Sequence, residues 1–95
     1  MPTRCQSKFN DAKALAQIQR LARLDQVVIT SHARRRMAER DVTELDVWMA
    51  LLTATAAFPQ SDLDNWRVEG GRDVDGDDLT LICDLDADVI VVTLF

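Results

Sequence analysis

A chain of 95 residues, 47% of them apolar, has room for one domain with a modest core and is too hydrophobic to stay unfolded. No apolar run approaches the roughly 20 residues that cross a bilayer. Met1 to Lys8 lacks the hydrophobic stretch of a secretory signal, so a cytoplasmic protein without membrane contact is expected. The net charge of −5 argues against a dedicated nucleic-acid binder, but it is unevenly spread. Residues 1–40 hold nine Lys/Arg against three Asp/Glu, and residues 41–95 hold two against thirteen. One basic and one acidic surface follow, and the acidic one either repels nucleic acid from everywhere except the basic face or attracts a basic protein partner. Cys5 and Cys83 form no C-x-x-C unit, and one histidine is too few for an ordinary zinc cluster. No metal and no cofactor is therefore expected, and the thiols read as one tail and one core residue.

Ser7 to Leu24 reads as the first helix. Phe9, Ala12, Leu15 or Ala16, Ile18, Leu21 and Ala22 recur at three- and four-residue spacing, with Ser7 or Asn10 as the cap. Val27-Val28-Ile29 is a short β-branched strand. Thr30 or Ser31 caps a second helix, which turns Ala33 and Met37 inward and stops near Asp41. Thr43, with Asp46 three residues on, starts a third helix. Its expected course runs to about Ala57, with Leu45, Trp48, Met49, Leu52 and Ala56 facing the core, until Pro59 ends it. After a polar loop from Gln60 to Asn65, Trp66-Arg67-Val68-Glu69 alternates as a half-buried strand. Gly70-Gly71 and Asp75-Gly76 are turn signals. Leu79 to Leu85 and Val89 to Phe95 read as strands, the last apolar enough for the sheet interior. Helices followed by an antiparallel meander make an α+β fold, with two to three N-terminal helices packed on a small antiparallel sheet.

The chemistry is concentrated between Ser31 and Arg40. This stretch holds His32, the only histidine, and four of the eleven Lys/Arg residues: Arg34, Arg35, Arg36 and Arg40. On a helix, His32, Arg36 and Arg40 fall on one slowly drifting stripe, with Arg35 beside it. An imidazole that titrates near neutrality beside permanent guanidinium charge suits phosphate binding or phosphodiester chemistry. A helix N-terminus adds free N–H groups and partial positive charge. The plainer reading is a hydrogen-bonding histidine on a solvated arginine face. Arg67 and Thr93 are placed to reach a common sheet face near this helix. The acidic run Asp73 to Asp78 misses the EF-hand spacing, because its glycine arrives too early, and it reads as a solvated hairpin tip.

The string Ile29-Thr30-Ser31-His32-Ala33-Arg34-Arg35-Arg36-Met37-Ala38-Glu39-Arg40-Asp41-Val42-Thr43 resembles the hallmark of the DUF4258 family. There a strand leads into His-Ala-x-x-Arg-Met-x-x-Arg and a turn into the next helix. The tail from Asp75-Gly76 to Val89-Ile90-Val91-Val92-Thr93-Leu94-Phe95 resembles that family's closing hairpin. The resemblance covers residues 27–95 as a core, with 1–26 as an additional N-terminal helix of the same single domain. It implies a RelE/ParE-like fold, distantly related to MqsR and BrnT toxins. It also implies a toxin of a toxin–antitoxin pair that cleaves mRNA, free or on the ribosome, without a metal, beside a cognate antitoxin protein. By that carry-over His32, Arg36 and Arg40 take the catalytic positions and Thr93 the closing strand. Arg35 and Arg67 join Thr93 in binding substrate, Arg67 on geometric grounds alone. The alternative from another class is a non-catalytic protein-binding module, immunity-like or regulatory, that keeps the toxin fold.

Overall fold

The computed structural model describes residues 11–60 and 65–95. Its elements follow in the order α1 (Ala12–Arg23), β1 (Val27–Ile29), α2 (Ser31–Arg40), α3 (Glu44–Thr53), β2 (Ala56–Gln60), β3 (Asn65–Glu69), β4 (Leu81–Leu85) and β5 (Val89–Leu94). Each helix starts where a side chain can satisfy an otherwise orphaned amide. Asp11 accepts from the Ala14 N–H and Thr30 from the Ala33 N–H. Thr43 accepts from the Asp46 N–H while the Asp46 carboxylate accepts from the Thr43 N–H, a complete capping box. The expected first caps, Ser7 and Asn10, lie outside the described residues, and Asp11 caps α1. α2 stops at Asp41, which takes a left-handed conformation at φ 57°.

The strands make one sheet in the order β1-β5-β4-β3-β2. From β2 to β5 it is the expected antiparallel meander. β1, however, joins β5 in parallel, so the sheet is mixed. Among the described residues three helices pack on a five-stranded sheet, an α+β fold.

The third helix departs from expectation in two ways. It ends at Thr53, and Ala56–Gln60 is the edge strand β2. Pairing explains the early stop. The Thr55 N–H donates to the Glu69 carbonyl, and Ala56 to Gln60 pair with Asn65 to Glu69. The Gln19 side-chain amide meanwhile lies within hydrogen-bonding distance of the carbonyls of Leu51, Leu52 and Ala54 at the helix end. Pro59 sits within β2 instead of ending a helix, which an edge strand tolerates. Gln60 and Asn65, expected in a loop, are paired strand residues, and residues 61–64 between them lie outside the described residues. The inward face also differs. α3 buries Val47, Ala50 and Leu51; of the expected residues, half-buried Trp48 and Leu52 do pack against the core, whereas Leu45 is 55% exposed. The apolar residues of α3 run almost all the way round, so their spacing selects no single face.

All three helices feed one core. Ile18, Leu21 and Ala22 of α1, Ala33 and Met37 of α2, and Val47, Ala50 and Leu51 of α3 pack with Ala57, Val68, Leu81, Cys83, Val89, Val91 and Leu94 of the sheet. Strand alternation sends Val28, Phe58, Arg67, Ile82 and Thr93 to the opposite face. Trp66 and Trp48 both pack against the core from its margin.

Candidate functional site

α2 is a polar helix with a thin apolar seam, and two hydrogen-bonded anchors attach it to β5. At its start the Thr30 hydroxyl lies 3.1 Å from the carbonyls of both Val91 and Val92, and the Thr30 N–H donates to Val91. The same hydroxyl oxygen accepts from the Ala33 N–H, so one side chain caps the helix and seats it. One turn on, the Arg36 Nε donates to the Leu94 carbonyl at 3.4 Å. β1 ends opposite Val91, which leaves the last carbonyls of β5 available to this helix.

Between these anchors lies Thr93, and a β-bulge decides where it points. Ile82 pairs with Thr93 but Cys83 pairs with Val91, so Val92 is an extra residue on β5. Unbroken alternation from Val91 would turn Thr93 into the core. The bulge turns Leu94 inward instead and puts Thr93 on the open face. There Thr93, Ile82 and Arg67 form one row across β5, β4 and β3. The shared face expected for Arg67 and Thr93 is thus real.

The sequence candidates divide into two sets. His32, Arg35, Arg36 and Arg40 stand together on α2, and the Arg36 anchor ties their stripe to the carbonyl next to Thr93. His32, Arg35 and Arg40 are exposed and form no ion pair among the described residues. Arg36 is half-buried. Its Nε serves the fold, and its terminal nitrogen stands 3.8 Å from Glu39. Arg34, on the other side of the helix, is committed to Glu44 at 2.7 Å. Arg67 is not gathered with the stripe. Two strand spacings, about 10 Å, separate it from Thr93, and its guanidinium pairs with Glu69 and lies over the Phe58 ring, 5.5 Å from the centroid. Phe58 was not a sequence candidate because its strand read as the tail of a helix. Thr30 was legible as a cap, but its grip on β5 requires knowledge of the parallel β1–β5 pairing.

Exposed imidazole, two guanidinium groups without an ion-pair partner among the described residues and the first amides of a helix give this face the chemistry to attract an anion. Two acidic side chains hold backbone in place. Asp73 accepts from the Asp75 and Asp77 N–H groups, each at 2.9 Å, and closes its own turn. The buried Asp46 accepts from the N–H groups of Thr43 and Val74, which hold its carboxyl below the usual carboxylate range. It thereby fastens the acidic loop to the start of α3. Cys83 is a core thiol, pushed up to about 12 by burial and then by the neighbouring Asp84. Cys5 lies outside the described residues. Among the described residues no helix is long and apolar enough to cross a membrane.

Charge, anchoring and bulge all fall within the part of the chain that a family comparison recognises. Residues 29–95 match the domain of unknown function DUF4258, and the chain belongs to that family. The match takes in the whole of α2 and β5, and α1 lies outside it. Searches of curated proteins and of solved structures gave no match.

Proposed function

We propose that this protein is a toxin of a toxin–antitoxin pair, acting in the cytoplasm as a metal-independent endoribonuclease on mRNA, on a fold related to RelE and ParE. The reading rests on one observation: an exposed histidine in the first turn of a helix whose stripe of arginines is anchored beside the bulged end of β5. RNA carries its own nucleophile. The ribose 2′-hydroxyl oxygen attacks the adjacent phosphorus, the P–O5′ bond breaks, and a 2′,3′-cyclic phosphate and a 5′-hydroxyl result. His32 takes the proton from the 2′-hydroxyl while solvent protonates the departing 5′-oxygen, or solvent takes the first proton and His32 delivers the second. Arg35 and Arg40 bind the phosphate oxygens and offset the charge that grows on them. Arg36 orients the stripe through its bond to Leu94, and Thr93 and Arg67 line the sheet face along which the strand would continue. A cognate antitoxin would be the protein partner.

The test compares the natural chain with His32→Ala at matched soluble levels, by growth of an induced bacterial host and by mapping of RNA ends. Arrest and new cleavage ends are expected from the natural chain alone, with cleavage falling about 100- to 10,000-fold in the variant. Arrest by both chains without new RNA ends would sink the nuclease reading. The second reading, a non-catalytic protein-binding module, is favoured by the outer side of β1, which no described strand covers and beside which a cleft lies. It predicts that His32→Ala leaves partner binding intact.

A further inference from the structure

The two edges of the sheet are built differently. β2 carries Pro59, the kind of residue that discourages further strand pairing. β1 is Val27-Val28-Ile29, with no proline and no charge. The Gln26 carbonyl accepts from Val89 and the Thr30 N–H donates to Val91, so alternate residues face β5. The N–H and C=O groups of Val27 and Ile29 therefore point outward along an edge that no described strand covers. Directly beside them lies a cleft of about 370 Å³. Val27 and Ile29 line one side of it, and Leu45 and Trp48 of α3 the other. Leu45 is 55% exposed and Val28, on the opposite face of the strand, 46%.

From this geometry we propose that the outer edge of β1 receives an extended segment of a partner protein as a sixth strand, with alternate apolar side chains entering the cleft and a basic residue meeting its rim. A strand as short as β1 offers only four outward backbone groups, so pairing alone would be weak, and the apolar lining supplies the remainder. Charge selects the partner. The charged residues lining the cleft, Asp25 and Glu44, are both acidic. Glu44 already faces Arg34, whereas Asp25 makes no ion pair among the described residues. A second copy paired edge to edge would bring two acidic rims together, which disfavours a homodimer. The segment therefore reads apolar-x-apolar with lysine or arginine at its ends. This inference does not rest on the nuclease reading, since it uses no residue of the α2 stripe.

The test uses the full chain labelled with ¹⁵N and two peptides, acetyl-Arg-Val-Thr-Val-Arg-amide and its Glu-ended counterpart. The Arg-ended peptide is expected to slow exchange of the Val27 and Ile29 amide hydrogens and to shift the Trp48 indole resonance. The Glu-ended peptide should bind about threefold to tenfold more weakly, the scale on which an exposed attraction to Asp25 turns into repulsion. Ile29→Pro removes an outward N–H without touching a bond to β5. Leu45→Lys blocks the cleft from an exposed helix position where folding is not at risk. Both should abolish binding, and His32→Ala should leave it unchanged. The proposal is overturned by equal affinity for the two peptides, by binding that survives Leu45→Lys, or by no binding at millimolar peptide. Protection of Val27 and Ile29 that grows with protein concentration and needs no peptide would overturn it in favour of a second copy.

Discussion

α2 and α3 are each ten residues long, each begins at a threonine cap, and both pack into one core, but different forces hold them. α3 is held by apolar burial, with Val47, Ala50 and Leu51 inside and an aspartate latch at its start. α2 buries only Ala33 and Met37 and relies on hydrogen bonds from Thr30 and Arg36 to the carbonyls of β5. A helix seated by its cap and one arginine needs little apolar surface. Most of its circumference is then left for charge, and the candidate site occupies that surface.

The largest effect is expected where burial is deepest. Leu51 is fully buried, and Leu51→Ala should cost about 2–5 kcal/mol in urea unfolding of the whole chain. Met37→Ala, in the thinner seam of α2, should cost less. The reverse order would mean that α2, not α3, is the scaffold.

A smaller and more local effect is expected from Thr30→Val, which keeps the shape of the side chain and removes its hydroxyl. Loss of the cap and of the grip on β5 should cost about 1–2 kcal/mol. Amide exchange should quicken through α2 while α3 keeps its protection. Uniform quickening would show that the two helices are not held separately.

How much of this was legible in the sequence depended on whether the signal was local. The start of α2, the capping box of α3 and the strand at Val27 to Ile29 follow from side chains within four residues of one another, and the structure has them as read. The end of α3 is hidden because three of the four residues from Ala54 to Ala57 are alanines, which favour helix, and pairing of β2 with β3 overrides that preference. Parallel pairing of β1 with β5 leaves no local trace. Thr93 was placed on the correct face, but the reason lies in the bulge at Val92, and nothing in an apolar run announces a bulge. Phe58 beneath Arg67 was hidden by the same misread strand.

The smallest effect separates the helices by acid. The Asp46 carboxyl is held below its ordinary value of 3.8 by the Thr43 and Val74 N–H groups, so its contribution is present above that value and is lost as pH falls through the lowered one. Asp46→Asn lacks this titration, and its acid-side loss of stability should be shallower than that of the natural chain. The α2 anchors are a hydroxyl, a backbone amide and a guanidinium, with no carboxylate among them. Exchange measured from about pH 5 to about pH 2, corrected for the intrinsic rate, should therefore loosen the start of α3 and the Val74 loop before α2. If both helices loosen together, or if Asp46→Asn follows the same acid slope as the natural chain, the Asp46 latch contributes nothing and the start of α3 is held by its Thr43 cap and its apolar residues.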